Sequence, residues 1–126
     1  AKNVSHQDVN AFSLILKMEY GGKSMLLTGD IDQESELKLQ HVQANILKVG
    51  HHGSNTSSSQ KFLAKVHPEI ALISVGKNNK YGHPGQEVVR RLTNIGAQVY
   101  RTDQMGEVTV RMDRQGNMKV RRQLLE

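Results

Sequence analysis

A chain of 126 residues, with Leu, Ile, Val and Phe at about a quarter of its positions, has room for one domain and enough apolar mass for a core. It contains no cysteine, which excludes a disulfide scaffold, a zinc finger and a thiol nucleophile together. The net charge of +5 is uneven: residues 1–47 carry net −2, residues 48–91 net +5 and residues 92–126 net +2. A positive middle points to an anionic partner, although many solvated surfaces have the same balance. No apolar run approaches the roughly 20 residues that span a bilayer. No signal peptide is visible, and an opening of Ala-Lys-Asn instead of Met reads as a piece of something longer.

Residues 12–18 read as a buried strand, Gly21-Gly22 as a hairpin turn and 24–28 as the returning strand. Acids followed by a Leu37/Leu39 face predict a helix over 32–41 with Asp32 as its N-cap. A second buried strand is expected at 45–50. A polar stretch from His51 to Ser59 leads into a helix over 59–66 that carries Phe62, Leu63 and Val66 and closes at Pro68. Residues 70–75 form another apolar strand, and a loop runs from Gly76 to Gly85. Val88, Val89, Leu92 and Ile95 recur at helical spacing over 86–95, with Gly96 as the stop signal. Residues 97–101 are a strand, and 106–112 with 117–122 form a terminal hairpin turning at Arg114-Gln115-Gly116. The order β-β-α-β-α-β-α-β-β-β, with continuous apolar strands, indicates an α/β layered fold in which helices cover a mixed sheet.

Three loops carry chemistry, and each follows a buried strand, where sites gather in layered α/β folds. In Leu26-Leu27-Thr28-Gly29-Asp30 a rigid strand end presents a carboxylate, a hard metal ligand; the bland alternative is that Asp30 or Asp32 caps the next helix. In Val49-Gly50-His51-His52-Gly53-Ser54 two adjacent imidazoles at a strand end point in opposite directions, so one of them reaches a given ion directly. Imidazole with carboxylate suits zinc, manganese or iron. Glycines on both sides argue against a plain polar turn, because they let backbone come close. The third loop, residues 74–84, gathers Lys77, Asn78, Asn79, Lys80, Tyr81 and His83, a set suited to phosphate or leaving-group contacts or to ordinary solvation. Ser54 and Thr56 to Ser59 offer hydroxyls before a helix, either as a phosphate cradle or, for Ser58 and Ser59 above all, as caps. One Asp and two His supply half of the binuclear site that metal-assisted phosphoester hydrolysis would use.

Leu-Leu-Thr-Gly-Asp at 26–30, Leu-Lys-Val-Gly-His-His-Gly-Ser-Asn-Thr-Ser at 47–57, Ile-Ser-Val-Gly-Lys-Asn-Asn-Lys-Tyr-Gly-His-Pro at 73–84 and Val-Tyr-Arg-Thr-Asp at 99–103 closely resemble a known family. It is the C-terminal metallo-β-lactamase-like domain of ComEC-type DNA internalisation proteins, the membrane channels of bacterial competence. The resemblance covers about residues 10–110 in unbroken order. It implies an αββα sandwich, two divalent metal ions (zinc or manganese) and nuclease action on DNA, single- or double-stranded. On that resemblance Asp30 matches the bridging aspartate. His51 and His52 match the last histidine motif, with His52 favoured as the direct ligand. His83 is expected in a catalytic role at the rim, and Ser54, Thr56, Lys77, Asn79 and Tyr81 are expected to contact substrate.

The family's first ligand cluster, of the form His-x-(Asp/Ser/His)-x-Asp-His, does not occur in this chain. The expectation is therefore a single partial domain over residues 1–126, the C-terminal half of the sandwich. Weak metal affinity and little or no nuclease activity are expected on its own, with one layer exposed unless the fragment dimerises. The resemblance further implies an extramembrane domain of an inner-membrane protein, on the extracytoplasmic side, with the rest of the channel protein as partner. Two other readings remain open. One is a phosphodiesterase of the same superfamily acting on a small substrate. The other is a metal-free DNA-binding or interaction module using Arg111, Arg114, Lys119, Arg121 and Arg122.

Overall fold

The computed structural model describes residues 15–29, 33–53, 58–76, 82 and 84–123, with the backbone alone at His51 and His52. Among them are strands β1 (Leu16–Tyr20), β2 (Lys23–Leu27), β3 (Ile46–Lys48), β4 (Ile70–Ile73), β5 (Gln98–Arg101), β6 (Val108–Met112) and β7 (Met118–Arg122). The helices are α1 (Gln33–Glu36), α2 (Gln60–Val66), α3 (Gln86–Asn94) and α4 (Thr102–Met105), with a 3-10 turn at Gly50–Gly53.

The first five strands form one sheet in sequential order, β1-β2-β3-β4-β5. β1 pairs antiparallel with β2, and β2 to β5 run parallel. Parallel neighbours need crossovers, and right-handed crossovers that step one strand the same way each time deliver their helices to one face. The core agrees. Leu26, Leu47 and Ala71, which lie in register on adjacent strands, pack in one cluster with Phe62, Leu63 and Val66 of α2 and Val88 and Leu92 of α3.

The opposite face begins with Met25, Ile46, Ile70 and Gln98, again in register. Over it lies the separate antiparallel ribbon β6–β7. Ile70, Gln98 and Tyr100 share a cleft of about 630 Å³ with Met118, Lys119 and Val120. At the ribbon's tip, a Cβ on Gly116 would sit 2.7 Å from the carbonyl oxygen of Gly21 in the β1–β2 turn. The expected cover of helices thus holds for one face; the other receives a hairpin.

Local chemistry explains several boundaries. Ser59 caps α2, its Oγ accepting from the Phe62 N–H at 3.2 Å. The ribbon turns where Asp113 accepts from the Gln115 and Asn117 backbones and from the Asn117 side chain, each at 2.9 Å. Those bonds, the Asn117 side chain foremost, hold the Asp113 carboxyl below its ordinary pKa.

Four expectations need correcting. The strand predicted at 12–18 as buried is the sheet's edge over its described part, with Met18 and Tyr20 exposed. The helix predicted over 32–41 is a single turn among the described residues, outside which its expected N-cap Asp32 lies, and Leu37 is 45% exposed where a core-facing leucine was expected. The strand ends predicted at Gly50 and Val75 come earlier, at Lys48 and Ile73. A further turn of helix, α4, separates β5 from the hairpin; nothing in the apolar spacing marks it.

Candidate functional site

The carboxyl ends of β2, β3 and β4 lie side by side because these strands are parallel and in register. The three chemistry-bearing loops leave from that end. Thr28, 1% exposed, closes β2 and donates from Oγ1 to the Lys48 carbonyl at 3.4 Å. A Cβ on Gly50 would meet the Gly29 carbonyl oxygen at 2.8 Å and Thr28 Oγ1 at 3.0 Å. Only glycine allows the segment before the histidine pair to lie this close to the segment before Asp30. The backbone of the pair lies in the 3-10 turn, past the end of β3.

Gly53 closes that turn at φ +83°, and a Cβ there would lie 2.5 Å from Pro84 Cβ. The Gly85 N–H donates to the Gly53 carbonyl at 2.7 Å. The chain just after His52 is thereby fixed to the chain just after His83. The backbone flanking Asp30, the histidine pair and His83 converges on one end of the sheet.

A buried carboxylate ties the same loops from behind. Glu36, 1% exposed, accepts from the Ser58 N–H at 2.5 Å and the Ser59 N–H at 3.0 Å. Arg91 of α3 donates to the Ser58 carbonyl at 3.1 Å. Ser58 is held at φ +56°, an unfavourable conformation for a residue with a side chain. Three segments therefore meet at one serine: the one after β2, the one after the histidine turn and the helix after the third loop. Thr28, Glu36 and Ser58 are the buried polar residues of the described structure, and all three serve these loops.

The end of β4 has its own support. Thr102 Oγ1 accepts from the Val75 N–H at 2.8 Å and lies 2.9 Å from the Val75 carbonyl oxygen. Arg101 forks onto Asp103 at 3.0 and 2.7 Å, so the Arg-Thr-Asp segment buttresses the third loop's start. Sequence reasoning missed Glu36, Arg91 and Thr102 as supports. Only the 99–103 motif signalled any of them.

Asp30, Ser54, Thr56, Lys77, Asn79, Tyr81 and His83 lie outside the described residues. Among the described residues, no three His, Asp or Glu side chains gather in a metal-holding group.

No family model matches the chain. It is 45% identical over 106 residues to "ComE operon protein 3" of Bacillus subtilis, covering 81% of this chain and 14% of that protein. It is 39% identical over 120 residues to "Competence protein ComA" of Neisseria gonorrhoeae, covering 91% and 17%. The chain belongs to the ComEC family. "Recombination protein 2" of Haemophilus influenzae, 36% identical over 110 residues, matches 86% of the chain and 14% of its own length. The chain thus spans about a sixth or less of the ComEC-family relatives it matches. Among the described residues, no helix is long and apolar enough to cross a membrane.

Proposed function

We propose that this chain carries the C-terminal half of a metallo-β-lactamase-like phosphodiesterase site that acts on DNA in a competence protein. The observation that supports the reading most is the convergence of Gly29, Gly50, Gly53 and Pro84, the immediate neighbours of Asp30, His51, His52 and His83. One relative named a competence protein and another named a recombination protein favour DNA over a small substrate.

The donor set fits a divalent ion: one carboxylate and two imidazoles suit zinc or manganese. Asp30 and His52 would hold such an ion, with His51 as a further ligand. A bound divalent ion would lower the pKa of a water and polarise a phosphoryl oxygen. The chain's own contribution is positional. Gly50 and Gly53 let the segments flanking the ligand positions close on one another, and Glu36 with Arg91 holds Ser58 and Ser59, at the start of α2. In this reading Lys77, Asn79 and Tyr81 hold the substrate phosphate, and His83 donates a proton to the leaving oxygen.

The test is zinc or manganese titration of this chain beside the same chain extended upstream to the family's histidine cluster. Manganese-dependent cleavage of single-stranded DNA is then measured on the extended form. Tight binding and cleavage are expected only there, and Asp30→Asn and His52→Ala should abolish cleavage with circular dichroism unchanged. Cleavage retained in both variants removes these residues from the mechanism. An extended form that binds no metal favours the metal-free interaction module instead.

A further inference from the structure

The β6–β7 ribbon has two unlike faces. Val108, Val110, Met112, Met118 and Val120 are half-buried, whereas Thr109, Arg111, Lys119 and Arg121 are exposed. The register sets Arg111 directly opposite Lys119 and Thr109 opposite Arg121, and opposed residues share a face. Arg114 in the turn and Arg122 at the end of β7 are exposed as well. Among the described residues, none of these five cations enters an ion pair. The acids nearest in sequence stand at the ribbon's ends, and Asp113 is already engaged by its own turn.

A ribbon that merely covered the sheet would gain from opposite charges across its strands. Like charges in register weaken it, so this arrangement works against the fold's own stability. We propose that the outer face of the β6–β7 ribbon is a docking surface for the phosphate backbone of a single-stranded nucleic acid. Lys119 and Arg121 stand at alternate positions of β7, about 6.6–6.8 Å apart, with Arg111 beside Lys119 and Arg114 at the turn beyond, and this short row of charge suits a row of phosphates. The strands are only about 5 Å apart, so the strip is narrow and follows one backbone, whereas the two backbones of a duplex flank a groove about 12 Å wide. No aromatic or aliphatic side chain stands on this face, which leaves no base-stacking platform and nothing to insert into a lipid surface. The contact is therefore with phosphates and independent of base sequence.

The ribbon's course gives the contact a use. Its tip meets the β1–β2 turn at the end of the sheet remote from the site. Its open end follows α4, where Thr102 holds Val75 beside the third loop. A strand lying along the ribbon is thus led toward the carboxyl ends of β2 to β4. This use rests on the phosphodiesterase reading; the binding itself requires no metal and can be measured without one.

The experiment is fluorescence anisotropy of this chain with a labelled 20-nucleotide single strand in EDTA at 50 and 200 mM salt. The ribbon variant Arg111→Gln/Lys119→Gln/Arg121→Gln is compared with Lys38→Gln/Lys61→Gln/Lys65→Gln, which removes the same charge from exposed positions elsewhere. Four phosphate contacts give a salt slope near −2.8, so parent affinity should fall about 50-fold between the two salt concentrations. The ribbon variant should fall only about threefold, and the matched control should behave as the parent. Arg121→Gln alone should remove about one contact's worth of slope. Equal loss in both triple variants, no loss in the ribbon variant, or binding to a duplex or to phosphatidylserine vesicles but not to the single strand would each overturn the proposal. Metal-dependent cleavage plays no part in this readout, so failure of the hydrolytic reading would leave salt-dependent binding intact.

Discussion

Replacing Glu36 tests whether a buried carboxylate holds the candidate site together. Its two oxygens take the Ser58 and Ser59 N–H groups, and the residue is 1% exposed, so solvent cannot replace it. Hydrogen bonds to a charged acceptor contribute about 1.5–3 kcal/mol each, and a donor left buried without a partner costs about 1–3 kcal/mol. Glu36→Ala loses both bonds but is relieved of burying a charge and of holding Ser58 at φ +56°, which leaves a net loss of about 3 kcal/mol. With an unfolding entropy of roughly 2.1 cal/mol/K per residue, that corresponds to a fall in Tm of about 11 °C. Glu36→Gln keeps one oxygen and turns an N–H toward a donor, so about half the loss is expected. Thermal melts followed by circular dichroism give both values, and hydrogen exchange at Ser58 and Ser59 shows whether the loop has opened. A Glu36→Ala protein melting within 2 °C of the parent, with those amides still protected, would refute the account.

The other predictions concern the loop contact and the ribbon turn. Gly53→Ala should cost about 3 kcal/mol, because a Cβ at φ +83° is strained and would lie 2.5 Å from Pro84 Cβ; an unchanged Tm would mean that the histidine turn and the third loop are not in contact. Asp113→Ala should lower Tm at pH 7. The folded state depresses this carboxyl's pKa, so its stabilisation is present above the unfolded value near 3.9 and is lost as pH falls through the lower folded value. The difference between parent and variant melts should therefore shrink as pH falls below the unfolded value, and a difference that stays constant as the carboxyl is protonated would refute the turn's electrostatic origin.

Features that depend on residues adjacent in the chain were legible from the sequence. The apolar runs at 46–48 and 70–73 are strands. Ser59 caps the helix it precedes, and the Asp113–Gly116 turn closes a hairpin, since each needs only partners within about four residues. The ordered motifs at 26–30, 47–57, 73–84 and 99–103 were enough to place the chain in its family. The tertiary structure decided what depends on distant partners. The Leu37/Leu39 spacing suits a helix, yet the described helix is one turn ending at Glu36, whose carboxylate is bound 22 and 23 residues further on. Arg91 finds the Ser58 carbonyl across 33 residues and Thr102 finds Val75 across 27, separations that no periodicity encodes. The position of β1 at an edge of the described sheet follows from strand order, and the placing of the hairpin is seen only where Met118 and Val120 meet Ile70, Gln98 and Tyr100. Strand order is settled by which apolar faces can be buried together, and that is a property of the packed chain as a whole.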